Sequence, residues 1–186
     1  MNHNFIIVEG MDNTGKTTLI QRIIREYARG YSLSRVSLGP NCPDREQIDW
    51  LINNMKFVQA NPQELVIYDR FLPICDTVYG NVLRGGSLWS IDNPQLKMIK
   101  DSYNPLIIYC RPHIDVITGF SDGRDQMEGV EENAIKLVEA YDRMISDLKA
   151  KYGYDILVYD FNFIEDHKRI EEAVKNILSK KINGGV

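Results

Sequence analysis

The stretch "FIIVEGMDNTGKTTLI", residues 5–20, carries the strongest structural signal in this chain. It begins with an apolar run and continues into the pattern G-x-x-x-x-G-K-[ST], which Gly10, Gly15, Lys16 and Thr17 complete. The glycines of such a loop let backbone N–H groups turn inward around a polyphosphate, and the helix that follows adds its positive N-terminal end. The segment therefore predicts a strand, a phosphate-binding loop and a helix in immediate succession.

The residues of this loop have predicted roles toward a bound nucleotide. Lys16 would bridge the β- and γ-phosphates of ATP, and the hydroxyl of Thr17 would bind Mg²⁺. The alternative is a solvated glycine turn, but the apolar run before the loop and the helical stripe after it favour a nucleotide site. The residues predicted to bind ATP are Gly10, Asn13, Thr14, Gly15, Lys16, Thr17 and Thr18.

Apolar runs and helical stripes alternate along the rest of the chain. Continuous apolar runs predict buried parallel strands, with one weaker candidate at residues 34–39, and the stronger ones lie at residues 5–8, 65–68, 106–110 and 155–161. Helices are predicted at residues 17–27, 44–60, 94–103, 130–151 and 164–180. This order predicts an α/β, P-loop NTPase fold, a three-layer α/β/α sandwich with a central parallel sheet of about five strands.

Composition narrows the class of protein. The chain has 186 residues and a formal net charge of -4, which argues against a large nucleic-acid surface. Its three widely spaced cysteines predict free thiols in a reducing compartment. No apolar run is long enough for a membrane span, and the N-terminus lacks the basic segment and cleavage site of a signal peptide. We therefore expect a cytoplasmic protein without a membrane partner.

Two long irregular stretches, residues 70–92 and 118–132, are predicted to be functional loops, because ordinary connections are shorter. Asp69 and Arg70, in "VIYDRF", stand just past a predicted strand, where open α/β sheets bind ligands. Asp69 could hold Mg²⁺ through water, and the planar fork of Arg70 could clamp a phosphate. An exposed acid–base pair at a strand end is the alternative.

Three more side chains complete the candidate site. Phe71 and Tyr79 follow closely enough to face an acceptor base, although core packing is equally expected for them. Arg124, in the second irregular stretch, could neutralise charge on a phosphoryl group in transit. A solvated surface loop is the alternative for Arg124.

The blocks "FIIVEGMDNTGKTTLI", "VIYDRF" and "GRDQMEG" with "VEAYDRM" resemble the thymidylate kinase branch of the P-loop nucleoside monophosphate kinases. The resemblance implies a single P-loop kinase domain over residues 1–186, with a lid loop at about residues 118–132, and the use of ATP and Mg²⁺. It implies that Asp12 lies near the acceptor sugar and that Arg70 binds the acceptor phosphate. Asn13 stands where some members carry an arginine, so Arg124 would supply that charge. It also implies a possible homodimer.

The sequence therefore predicts a deoxynucleoside monophosphate kinase that transfers the γ-phosphate of ATP to dTMP or a related pyrimidine dNMP. Because "LGPN" replaces the family's R-E-P-G, a kinase acting on a modified base in DNA, such as a hydroxymethylpyrimidine, stays open. A GTPase is disfavoured, since N-K-x-D is absent. The predicted catalytic residues are Lys16, Asp12, Arg70 and Arg124. The predicted acceptor-binding residues are Asp69, Arg70, Phe71 and Tyr79, and the predicted metal ligands are Thr17 and Asp69.

Overall fold

The computed structural model describes residue 3 and residues 5–37, 44–119 and 127–183, without the side chains of residues 44–48, 182 and 183. Five parallel strands form one sheet in the order β2-β3-β1-β4-β5. They are β1 Phe5–Glu9, β2 Leu33–Ser37, β3 Leu65–Asp69, β4 Leu106–Cys110 and β5 Asp155–Tyr159. Because β1 is the central strand, the phosphate loop lies in the middle of the row formed by the carboxyl ends of the strands.

Helices connect the strands and cover both faces of the sheet. The first helix, α1, continues into one π-helical segment at Ile23–Tyr27. The helices are α1 Lys16–Arg22, α2 Asp44–Ala60, α3 Leu72–Leu83, α4 Pro94–Tyr103, α5 Ile114–Gly119, α6 Ala134–Tyr152 and α7 Ile164–Asn183. The predicted α/β three-layer fold with a five-stranded parallel sheet is confirmed.

Successive residues of β1 separate the core into two clusters. Phe5 and Ile7 face one cluster and Ile6 and Val8 the other, and all four are fully buried. The first cluster receives apolar side chains from α2, α3, α4 and α6, and the second receives them from α1 and α7. Burial on both faces explains why β1 is continuously apolar instead of alternating.

One predicted irregular stretch contains a helix. Within residues 70–92, α3 spans Leu72–Leu83, so the prediction of an irregular loop is wrong there. Pro73 lies in the first turn, where a missing N–H costs nothing. The carboxylate of Asp76 on α3 then accepts hydrogen bonds from the Ser87 hydroxyl at 2.6 Å and the Leu88 N–H at 2.9 Å. These bonds fold the following loop back onto the helix.

The described part of the chain also bears on the predictions of free thiols and of a chain without a membrane span. Cys75 and Cys110 are free thiols, and Cys42 lies outside the described residues. Among the described helices, none combines the length and apolar character needed to cross a bilayer.

Candidate active site

The loop between β1 and α1 has a backbone that requires glycine at two points. Gly10 has φ 140° and Gly15 has φ 82°, and Gly15 caps the start of α1. A Cβ on Gly10 would lie 2.5 Å from the Cys110 carbonyl oxygen on β4. A side chain there would force the loop away from the sheet, so both glycines of the motif serve the loop geometry.

The Lys16 side chain lies inside this loop. It is 7% exposed, and its Nζ donates a hydrogen bond to the Met11 carbonyl oxygen. The Thr14 hydroxyl donates to the same carbonyl at 2.8 Å. Burial, reinforced by the charge of Arg70, lowers the pKa of Lys16 below its usual value. The loop therefore holds a cation that has lost its hydration and would gain from an anion.

The other loop residues lie around the start of α1. Asn13 has φ 63°, which continues the left-handed turn of the loop. Thr17 is half-buried in the first turn of α1, and Thr18 is exposed beside it. The first turn thus presents the hydroxyl-bearing residues next to the helix N-terminus, where anions are stabilised.

Asp12, Arg70 and Tyr79 meet beside the phosphate loop. The guanidinium of Arg70 donates to Asp12 Oδ1, and the Tyr79 hydroxyl donates to Asp12 Oδ2 at 2.8 Å. The Arg70 guanidinium carbon also lies 5.0 Å from the centre of the Tyr79 ring. Burial alone would raise the pKa of Asp12, but the charges of Arg70 and Lys16 outweigh it and the pKa is lowered. We call these three residues the acid–base cluster.

Aromatic side chains of α6 and β4 pack next to Tyr79. Its ring meets the Tyr141 ring edge-on at 6.1 Å, and Tyr141 stacks on Tyr109 at 6.1 Å. The Tyr109 hydroxyl donates to Asp142 at 2.7 Å, and Arg111 pairs with the same carboxylate. The end of β4 is thereby tied to α6, which follows the predicted lid region.

Asp69 and Phe71 occupy different surroundings from those predicted for them. The carboxylate of Asp69 pairs with Arg35 of β2, a residue that sequence reasoning did not single out. The Phe71 ring is fully buried, 6.2 Å from Phe5 and 5.5 Å from Tyr68. It belongs to the core cluster, so the structure does not bring this ring to a surface where a base could stack.

The predictions for the lid and for a metal site concern a chain that the structure describes only in part. Arg124 lies outside the described residues, as does much of the predicted lid, so their roles stay predictions. Over the described ranges, no three His, Cys, Asp or Glu side chains gather as a metal site.

Sequence reasoning also missed two residues near the loop. Glu9, the last residue of β1, has a fully buried carboxylate. Phe161 packs against the loop at Gly15, since a Cβ on Gly15 would lie 2.9 Å from the Cδ1 atom of Phe161. Glu9 is an acid at the end of an apolar strand and lies within the first block that resembles the kinase family, and Phe161 is contributed by a segment distant in sequence.

The sheet order, the glycine loop after β1 and the polar residues at the carboxyl ends of β1 and β3 define a P-loop fold. YorR protein from Bacillus subtilis, solved in complex with phosphorylated GDP, superimposes with a TM-score of 0.65 at 18% identity, over 96% of this chain and 98% of that one. Deoxyadenosine kinase from M. mycoides, solved with bound dATP, gives 0.54 at 16% identity, over the same shares, 96% and 98%. No protein-family model and no curated protein sequence matches this chain. At these identities, the likeness is one of fold.

Proposed function

We propose that this protein is a nucleotide kinase, and specifically a deoxynucleoside monophosphate kinase that transfers the γ-phosphate of ATP to dTMP or a related pyrimidine dNMP. The observation that carries the proposal is the acid–base cluster of Asp12, Arg70 and Tyr79 directly beside the phosphate loop. A phosphate loop alone serves many classes of protein. A guanidinium, a carboxylate and a phenol at its side add a place for a second, phosphate-bearing substrate.

The donor half of the reaction would use the loop. ATP would place its β- and γ-phosphates against the loop N–H groups, and Lys16 would exchange its bond to the Met11 carbonyl for phosphate oxygens. Phosphoryl transfer asks a protein mainly for positioning and charge stabilisation. A desolvated ammonium held inside the loop supplies charge without having to shed water first.

The acceptor half would use the cluster. Arg70 extends from the turn after β3, and its fork suits a terminal phosphate. The charges of Arg70 and Lys16 lower the pKa of Asp12, so burial does not neutralise its carboxylate, which can accept a hydrogen bond from a sugar hydroxyl. The net charge of -4 supports a small nucleotide over a DNA duplex, which needs a basic track.

Magnesium would complete the charge balance. A hydroxyl and a carboxylate are hard oxygen ligands that suit Mg²⁺, which keeps several waters and usually takes one or two carboxylates together with substrate phosphates. Thr17 and Asp69 would hold it, Asp69 through water because its carboxylate already pairs with Arg35. Arg124 of the lid would add positive charge in the transition state.

Phe161 is expected to contribute to donor binding. Its ring packs against the loop at Gly15 and is 37% exposed, so the base of a nucleotide held in the loop would pass beside it. Loss of one stacking contact should raise the KM for ATP about 3- to 10-fold and leave kcat nearly unchanged. Steady-state kinetics of Phe161→Ala check this. Val158→Ala, on an exposed edge-strand residue, is the control, and equal KM values in both variants would contradict the role.

The function itself is tested by a transfer screen. Purified protein, ATP and Mg²⁺ are incubated with each deoxynucleoside monophosphate in turn, and with duplex DNA with and without a hydroxymethylated pyrimidine. We expect transfer to dTMP above dCMP and the purine nucleotides, falling gently with added salt. Labelling of the modified duplex alone, with a steep loss in salt, would replace this proposal by a DNA-modifying kinase.

A further inference from the structure

The carboxylate of Glu9 lies between the phosphate loop and the turn that carries Arg70. The N–H of Phe71 donates to Glu9 Oε1, and the N–H of Gly10 lies 3.3 Å from Oε2. Each oxygen therefore serves a different segment. Burying a carboxylate is costly, and the hydrogen bonds that it accepts from the two segments offset part of that cost.

The turn after β3 is held to β1 by two successive hydrogen bonds. The Arg70 N–H donates to the Val8 carbonyl oxygen at 3.0 Å, and the Phe71 N–H donates to Glu9. Arg70 has φ 68°, a left-handed conformation that residues with a Cβ adopt only when the surroundings impose it. The backbone at Arg70 is thus fixed from the strand that leads into the phosphate loop.

From this arrangement we infer that Glu9 is a positioning residue for the acceptor clamp. It fixes the Arg70 turn relative to the phosphate loop, so that the guanidinium reaches a phosphate on the acceptor in line with the donor. The inference rests on the proposed function for the identity of the acceptor. The bridge itself is a property of the fold that can be measured without turnover.

Titration of Glu9 provides one such measurement. Burial raises the pKa of Glu9 to about 7, although the Phe71 N–H and the charges of Arg70 and Lys16 act in the opposite direction. Above this pH both oxygens accept hydrogen bonds, and below it one oxygen carries a proton. The other titratable or charged groups that face it come from every neighbouring element: Lys16 of α1, Arg70 after β3, Cys75 of α3, Tyr109 and Cys110 of β4, and Tyr141 of α6.

The test compares Glu9→Gln with Asp76→Asn. Asp76 is a matched control, because it is also a buried carboxylate that accepts a backbone N–H, but it holds the loop after α3. Glutamine has the shape of glutamate and retains one acceptor oxygen, so the variant should fold. We expect Glu9→Gln to raise the KM for the acceptor monophosphate about tenfold, the effect of one hydrogen bond to a charged group, with the KM for ATP unchanged. Asp76→Asn should lower the melting temperature and leave both KM values unchanged.

The second readout needs no activity. In the wild type, the amide resonance of Phe71 should titrate near pH 7, and its hydrogen exchange should be about tenfold faster in Glu9→Gln but unchanged in Asp76→Asn. The free energy of unfolding should also depend on the protonation of Glu9. The folded carboxyl binds its proton more tightly than the unfolded one between its ordinary pKa of 4.5 and about 7, so stability falls as pH rises through that range, and Glu9→Gln removes this slope.

The outcomes separate the inference from the proposed function. A titrating Phe71 amide in a protein that phosphorylates no free monophosphate would overturn the function and retain the bridge. An active enzyme whose Phe71 amide does not titrate, or whose Glu9→Gln variant changes the KM for ATP and the acceptor equally, would overturn the positioning role.

Discussion

Lys16→Ala is expected to lower the rate of phosphate transfer about 1000-fold or more, because a preorganised charge aimed at the transition state is lost. The same variant should keep its fold. In the free protein the ammonium bonds to the Met11 carbonyl inside the loop, and burial lowers its pKa, so the charge is a cost to the folded state. Removing it should leave the melting temperature unchanged or slightly raised, while kcat collapses.

Lys100→Ala is the control for this experiment. Lys100 also has a largely buried side chain, and its Nζ lies 3.4 Å from the Asp155 carboxylate, away from the phosphate loop. Its loss should reduce stability and leave transfer unchanged, which is the opposite pattern. A folded Lys16→Ala protein with normal kcat would refute a phosphate-transfer role for the loop.

Much of the fold could be predicted because its signals are local. The predicted bounds of α2 and α4 agree with the structure, and so do those of β4. The two helices have apolar residues at helical spacing and β4 is one continuous apolar run, and the side chain of Asn93 marks the start of α4 as its N-cap.

The missed helix α3 has no such pattern. The sequence "LPICDTVYGNVL" is apolar on most sides because the helix is surrounded by core, and Leu72, Ile74, Val78 and Tyr79 are all buried. Gly80 adds a false signal for a turn. Its lack of a side chain lets the Gly86 carbonyl approach, since a Cβ there would lie 2.5 Å from that oxygen. The helical structure of α3 depends on packing against residues distant in sequence, so the local sequence pattern does not predict it.

The candidate site also combines a local part, which the sequence predicts, with contacts between residues that are far apart in sequence. The phosphate loop is contiguous, so the spacing of its residues, with the apolar run before it and the helical stripe after it, is enough to predict it. The acid–base cluster joins residues 58 and 67 positions apart, so sequence could name Asp12, Arg70 and Tyr79 but not their mutual bonds. The pairing of Asp69 with Arg35 had no sequence signal, because it arises only from the neighbouring positions of β2 and β3 in the sheet.

The arginine of the acid–base cluster gives the second large effect. Arg70→Lys is expected to lower kcat/KM for the acceptor about 100-fold, since two charge-assisted hydrogen bonds and a stacking contact depend on the planar guanidinium. Arg70 donates to Asp12 while lying over the Tyr79 ring, and a lysine ammonium cannot keep both contacts and also grip a phosphate with two parallel bonds. The KM for ATP should not change, because the donor phosphates bind in the loop.

Substituting Arg70 by lysine should change the contacts of the side chain without changing the backbone strain of the turn. Both side chains are long and positively charged, and both must adopt the left-handed backbone with φ 68° at this position, so the strain of the turn is the same in the two proteins. Arg84→Lys supplies the matched control, since Arg84 also donates to a buried carboxylate, that of Asp76, but does so outside the cluster. It should leave kcat/KM within about twofold, as expected for a partly exposed ion pair. Near-normal transfer by Arg70→Lys would show that a point charge at this position suffices, and the bidentate clamp proposed for Arg70 would then be wrong.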